Sequence, residues 1–262
     1  MLIFAFDKKT PTIQFPWKKI YFILYLLKVY VLKYLCSMKL FVGLGNPGDD
    51  YKNNRHNVGF MATSKISSIH GLSPWRKKFS GVFSEGVIGT DKVIILKPLT
   101  YMNLSGRAVG EAVRFYKIPS SDVTVFHDEI DLLSTKIKIK TGGGHAGHNG
   151  LRSIHQHIGS EYNRVRIGVG HPGDKNKVAN YVLGNFSKLE LNQLEEVFNM
   201  LAKNSTYITS GDLAELKNLI GSDKLDKSTI NIESKPKNIK KPVEPEQSDK
   251  RNKLQKLIDK FI

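Results

Sequence analysis

The sequence predicts an α/β fold, a β-sheet covered by helices on both faces. Two observations carry this. Short apolar runs of strand composition alternate with longer segments whose apolar residues recur at helical spacing. One of the runs, KVIILK at 92–97, is apolar at nearly every position, the pattern of a strand buried on both sides.

Taken in order, residues 39–44 read as a buried strand, and a polar loop leads to a helix at 58–69 that Gly71 stops. Strands follow at 79–88 and 92–97. Residues 104–117 form a helix, with Ala108, Val109, Ala112, Val113 and Tyr116 on one face and Pro119 as its stop. Strands at 122–127 and 135–140, a short helix at 149–158 and a strand at 164–169 closed by His-Pro-Gly come next. Residues 188–206 and 211–220 complete the helices. No internal repeat is evident.

The ends differ from this body. The chain has 262 residues and a formal charge of +16. Residues 1–37 and 224–262 each carry +5, leaving +6 for the middle. A basic middle fits an anionic partner such as nucleic acid, and equally a set of solvated lysines. In 1–37 an apolar run is interrupted by Lys28 and Lys33, so it falls short of a clean membrane span, and no signal-peptide cleavage site follows. It reads as an extension ahead of a working start at Met38, with a membrane anchor as the alternative. Residues 222–262 form a basic tail too poor in apolar residues to offset ordering entropy, with a possible amphipathic helix at its very end. The domain proper is then 38–221.

Composition excludes some classes. A single cysteine, Cys36, rules out a disulfide framework and a cysteine-rich metal site, and fits a reducing, cytoplasmic setting. Gly43-Leu-Gly45-Asn-Pro-Gly48 satisfies a dinucleotide-binding pattern, but the third glycine ends in a turn instead of opening a helix. No strand ending in an acidic residue follows about 20 residues on, so a nicotinamide or flavin enzyme is set aside.

Polar clusters fall at the ends of predicted strands, where α/β sheets place their sites. His56, with Asn46 and Tyr51 upstream, is either a polar helix cap or a general base. The second role needs a partner to orient the ring, and Asp128, just past a strand, is the candidate. A divalent-cation site on Asp128, Glu129 and Asp131 is the competing use, opposed by the alternation of neighbours along an extended chain. Asn103, after Tyr101 and Met102, is either an oxyanion donor or a helix N-cap. The glycine-rich loop 142–150 carries His148 and Asn149. Its readings are phosphate binding, zinc on His145 and His148, or a pliable rim; neither a Walker motif nor a third zinc ligand accompanies it. Lys136, Lys138 and Lys140 alternate on one strand, and Arg164 and Arg166 on another. They form either a solvent face or a phosphate clamp.

Together the segments VGLGNPGDDYKNNRHNVGF, TYMNLSG, HDEIDL, GGGHAGHNGL and RIGVGHPGDKNKVANYVLG resemble, in order and spacing, the bacterial-type peptidyl-tRNA hydrolases. The resemblance covers about residues 38–221. It implies a single α/β domain with a twisted mixed β-sheet, here with flexible terminal extensions. It also implies hydrolysis of the ester between peptide and tRNA, without metal or cofactor, by a cytoplasmic monomer. By the same resemblance His56 activates water and Asp128 stabilises the accepting ring form. Asn46 helps distinguish N-blocked from free aminoacyl esters. Tyr51, Tyr101, Asn103 and Asn149 contact the tRNA end or the peptide, Met102 and His148 line the site, and Lys138, Lys140 and Arg166 contact tRNA phosphates. No membrane partner is implied. Ala146 stands where the family usually has glycine. Ester hydrolysis needs a base and an oxyanion donor but no serine nucleophile, and the sequence offers that set. The alternative is a non-catalytic RNA-binding protein on the same scaffold.

Overall fold

The structure is a computed structural model that describes residues 24–25 and 38–221. The expectations for the segments ahead of Met38 and after 221, including the final amphipathic helix, lie outside the described residues apart from Leu24 and Tyr25. Leu24 and Tyr25 are helical and exposed. Among the described residues no helix is long and apolar enough to cross a membrane.

The strands are β1 (Met38–Gly43), β2 (Arg76–Lys78), β3 (Gly81–Ile88), β4 (Asp91–Pro98), β5 (Val123–Glu129), β6 (Ile137–Thr141) and β7 (Asn163–Gly168). They form one seven-stranded sheet in the order β2-β3-β4-β1-β5-β7-β6. β4, β1, β5 and β7 run parallel; β2, β3 and β6 are antiparallel to their neighbours, so the sheet is mixed. The helices are α1 (Val58–Ile69), α2 (Ser105–Tyr116), α3 (Asn149–Ile158), α4 (Val178–Val182), α5 (Lys188–Lys203), α6 (Ser205–Thr209) and α7 (Leu213–Gly221).

Alternation along the central strands feeds two cores. Phe41, Ile95, Phe126 and Val165 point to one face and pack with Val58, Ala62 and Ile66 of α1 and Leu194 and Leu201 of α5. Leu40, Val42, Ile94, Leu96 and Val125 point to the other and pack with Ala108, Val109 and Ala112 of α2 and Leu151 and Ile154 of α3. Helices thus cover both faces, as predicted. The chain leaves β1 toward β4 on one side and then crosses to β5 on the other. The carboxyl ends of β1 and β5 therefore meet at the point where the winding reverses.

The glycines of the dinucleotide-like motif serve this crossing. A Cβ on Gly43 would lie 2.3 Å from Thr63 Oγ1, and one on Gly59 would lie 2.2 Å from the Phe126 carbonyl oxygen. The start of α1 rests backbone to backbone on the strand ends: Phe60 N donates to Leu44 O at 3.1 Å, and Leu44 N to Phe126 O at 3.0 Å. Gly59→Ala is expected to destabilise the protein by about 3 kcal/mol or more, because the methyl group meets backbone that has nowhere to move. Urea unfolding measures this, and an unchanged midpoint would contradict the close crossing.

Several boundaries differ from expectation, each for a physical reason. The strand expected at 79–88 is a hairpin: Phe79 and Ser80 form its two-residue turn at φ 55 and φ 49. Such turns usually advertise themselves with Asn-Gly. Here Leu99 N donating to Ser80 O at 3.0 Å, and Ser80 Oγ donating to Glu111, hold the strained pair. β5 runs on through Asp128 and Glu129, because pairing with β7 continues to Gly168. β6 starts at Ile137, since Thr135 adopts φ 69, so Lys136 lies outside the strand. α2 ends at Tyr116, where Lys117 turns left-handed at φ 53, before Pro119 can act. The long C-terminal helix breaks at Asn204 into α5 and α6.

Candidate active site

His56 lies in a 3₁₀ turn, Arg55–Asn57, that leads into α1. The Gly43–Gly59 crossing carries this turn over the end of β5. There His56 Nδ1 is 2.9 Å from both Asp128 Oδ1 and Asp128 Oδ2. His148 Nε2 meets the same carboxylate at 3.0 Å. The sequence left Asp128 just past its strand; it is in fact the penultimate residue of β5 and buried. Strand geometry holds its carboxylate rigidly between two imidazoles.

The protonation states follow. Burial pushes the Asp128 carboxyl up, but His56 and His148 beside it outweigh this and hold it well below the usual carboxylate range. Burial pushes His56 down, but the charge of Asp128 and its hydrogen bond win and leave His56 above its ordinary value. An ionised carboxylate only accepts, so the His56 Nδ1–H donates to it and the Nε2 lone pair is left free. His148 is fixed too. Its Nδ1 accepts from Gly150 N at 3.1 Å and Leu151 N at 3.3 Å, capping α3, so its proton is on Nε2 and points at Asp128. His127, adjacent and fully buried, is pushed down to about 3, chiefly by burial and then by His148. It stays neutral.

The three facing groups His56, Asp128 and His148 have the elements of a cation site. The donor set does not suit one. A metal on His148 Nε2 needs that nitrogen deprotonated, which moves the proton to Nδ1 and against two helix N–H groups. The cation reading on Asp128, Glu129 and Asp131 fails as well, because the Glu129 carboxylate is already engaged, accepting from Arg166 Nε at 2.8 Å and Asp131 N at 3.2 Å. So does zinc on His145 and His148, since His145 Nδ1 accepts from Gly147 N at 3.1 Å while His148 has both nitrogens engaged.

Asn46 is 8 % exposed and tied to the base through Asn57. Asn57 Oδ1 accepts from Asn46 N and Asn57 Nδ2 donates to Asn46 O, both at 2.9 Å. Met102 N donates to Asn46 Oδ1 at 2.8 Å. A backbone N–H only donates, so the oxygen of the Asn46 amide is committed and its Nδ2 is turned outward. Met102 is buried against the start of α3: a Cβ on Gly150 would come 2.6 Å from Met102 Sδ and 3.1 Å from His148 Cε1. Tyr101 and Asn103 flank it, exposed, at the 3₁₀ turn Met102–Leu104. Asn103 caps no helix; neither that turn nor α2 has a side-chain cap. Tyr51 is half-buried in a neighbouring 3₁₀ turn, and Asn149 is the exposed first residue of α3.

A cavity of about 480 Å³ opens beside His56, Asp128 and His148. Lys140, Arg166 and Lys175 line it on one side, and Val178, Ala179 and Val182 of α4 on another. Asn46, Tyr51, Tyr101, Met102 and Asn103 are not on its wall. Lys138 and Lys140 are exposed on β6 opposite β7, and Lys138 pairs in register with Arg166. Arg164 departs from expectation. It is 3 % exposed and forms neither solvent face nor clamp. Its guanidinium donates to Gly143 O and Gly144 O and meets His155 Nε2 at 3.0 Å, propping the glycine loop from beneath. In that loop Ala146 adopts φ 46, a conformation that suits the family's glycine and costs an L-residue about 1–2 kcal/mol.

Sequence reasoning missed Asn57, His127 and Arg55, and gave Arg164 the wrong role. Asn57 and Arg55 flank the base in the string RHN, which was the available signal. His127 and Arg164 are defined by burial, which short alternating strands do not reveal.

The model of the family described as "Peptidyl-tRNA hydrolase" matches residues 40–228. A peptidyl-tRNA hydrolase of Dinoroseobacter shibae is 50% identical over 235 residues, covering 86% of this chain and 100% of that one. One from Ruegeria pomeroyi is 48% identical over 239 residues, with the same coverage of 86% and 100%. The crystal structure of peptidyl-tRNA hydrolase from Acinetobacter baumannii superposes with a TM-score of 0.67 at 38% identity, covering 70% of this chain and 94% of that one.

Proposed function

The chain belongs to the peptidyl-tRNA hydrolase family and hydrolyses the ester joining peptide to tRNA, and we propose that His56 is the general base of that reaction. The supporting observation is the His56–Asp128 pair: Nδ1 held at 2.9 Å from an ionised, buried carboxylate leaves Nε2 as an unprotonated base. His56 Nε2 takes a proton from water as the water oxygen attacks the ester carbonyl. The imidazolium that forms is stabilised by Asp128, whose own place is set by His148. Collapse of the tetrahedral intermediate expels the ribose oxygen, which takes the proton back from His56 Nε2, restoring the base and leaving an intact tRNA end.

Asn46 supplies selectivity. With its oxygen committed to Met102 N, it offers N–H donors alone. The amide carbonyl of an N-blocked substrate accepts from it, whereas the ammonium of a free aminoacyl ester has no lone pair and is left desolvated. Asn103 is placed to donate to the developing oxyanion. Tyr51, Tyr101, Met102 and Asn149 form the surrounding contacts to the tRNA end and the peptide, while Lys138, Lys140 and Arg166 bind backbone phosphates near the cavity mouth. One chain supplies every group named, and we propose that the enzyme acts as a monomer whose base needs no metal-bound water.

Hydrolysis of N-acetylaminoacyl-tRNA against free aminoacyl-tRNA, each with and without EDTA, tests this. The acetylated ester is cleaved and the free one spared, with EDTA having no effect. Equal cleavage of both would remove the Asn46 assignment, and loss with EDTA the metal-free mechanism.

A further inference from the structure

We propose that Arg55 is a positioning residue that locks the general base to the wall of the substrate cavity. The inference rests on His56 being that base.

Arg55 immediately precedes His56, yet its side chain leaves the turn and inserts between α4 and α5. One terminal nitrogen donates to Glu190 Oε1 at 2.9 Å and Oε2 at 3.2 Å. The other donates to Asn185 O at 2.9 Å. The guanidinium carbon stands 4.5 Å from the Tyr181 ring centroid and 5.3 Å from that of Phe186. The backbone is tied to the same segment: Arg55 N donates to Gly184 O at 3.0 Å, Phe186 N to Asn53 O at 2.9 Å, and Asn54 bridges Asn185. Its side chain is 14 % exposed, so these contacts are made largely out of water.

The helix it stacks on lines the cavity through other residues. Tyr181 belongs to α4, whose Val178, Ala179 and Val182 form the apolar wall beside His56. Tyr181 OH donates to Val169 O at 2.7 Å, which moors α4 to the end of β7. One guanidinium therefore sets the distance between the base and the wall against which the substrate rests. α4 has five residues and little core of its own. The planar fork of arginine does this by pairing and stacking at once, which an ammonium does not.

Arg55 does not act as a charge on His56. The groups that face the His56 ring are Asp128 from β5 and His148 from the cap of α3. Losing Arg55 loosens the turn, lengthens the His56–Asp128 contact and misplaces Nε2. Misplacement on the scale of 1 Å costs about 10²-fold in rate.

The test compares R55Q, R55K and E190Q with the parent enzyme, measuring kcat and KM on N-acetylaminoacyl-tRNA across pH, per folded molecule. Glu190 also closes the Ser187 capping box of α5, and glutamine preserves that cap, so E190Q isolates the ion pair. R55Q and R55K are both expected to lose about 10–100-fold in kcat, with the acid limb of the profile moving down toward the ordinary histidine value. E190Q loses less in the same direction, and R55Q/E190Q is no worse than R55Q. Parental kcat in folded R55Q and R55K overturns the proposal; so does a kcat loss with the acid limb unmoved, since the effect then bypasses His56. H56A run alongside keeps the two readings apart, because turnover retained there would remove the base assignment itself.

Discussion

His56→Ala is expected to lose peptidyl-tRNA turnover by at least about 10²–10⁴-fold while retaining tRNA affinity. The loss is large because no neighbour substitutes. Asp128 is ionised, but its side chain is 3% exposed and both oxygens face imidazoles. His148 has one nitrogen on α3 and the other on Asp128, so it has no free lone pair. His127 is buried with its pKa at about 3, far too weak a base. The affinity is kept because the phosphate contacts proposed for Lys138, Lys140 and Arg166 lie on β6 and β7, on different elements from the base. Single-turnover hydrolysis and filter binding on the same preparation check both halves. Turnover within a few-fold of the parent enzyme would refute the base assignment, and a parallel collapse of binding would show that the substitution damages more than the chemistry.

The architecture was legible where a local pattern carries it. Apolar KVIILK announces an interior strand, and β4 indeed lies between β3 and β1. The period of Ala108, Val109 and Ala112 announces the buried face of α2. The five-residue α4 has too few residues to display a period, and the turn at Phe79–Ser80 lacks glycine; both are set by tertiary contacts. The site shows the same division. His56, Asp128 and Asn46 were legible as residue types at strand ends, and the family resemblance assigned them roles. The contact between His56 and Asp128, 72 residues apart, is a product of the Gly43–Gly59 crossing, which no local pattern encodes. His148 was legible as a site residue but not as the cap of α3, since serine, threonine, asparagine and aspartate are the usual caps. Arg164 was misplaced because alternation reports which side of a strand a residue faces, not whether a glycine loop folds over that side.

Asp128→Asn produces the second large effect, and it separates two contributions of the carboxylate. The first is basicity. Protonated His56 is inactive, so the rate falls as pH drops through the His56 pKa. With Asp128 ionised that pKa is raised, placing the acid limb above the ordinary histidine value of about 6.5. A neutral amide removes the upward push and leaves the downward push of burial, so the limb moves to lower pH. The second contribution is the tautomer. His148 keeps its Nε2 proton because its Nδ1 caps α3, so the amide oxygen of the new asparagine turns toward His148. Its NH₂ then takes the Oδ2 position, 2.9 Å from His56 Nδ1, and a donor there opposes the Nδ1 proton and favours the tautomer with the proton on Nε2, where the base is needed. The plateau rate is therefore expected to fall by about 10²–10⁴-fold even at pH values where His56 is fully neutral. A kcat/KM profile from pH 5 to 9 reads both effects. A normal plateau with a shifted limb would leave the carboxylate a role in basicity alone. A lowered plateau with the limb in place would mean that the charge of Asp128 does not set the His56 pKa.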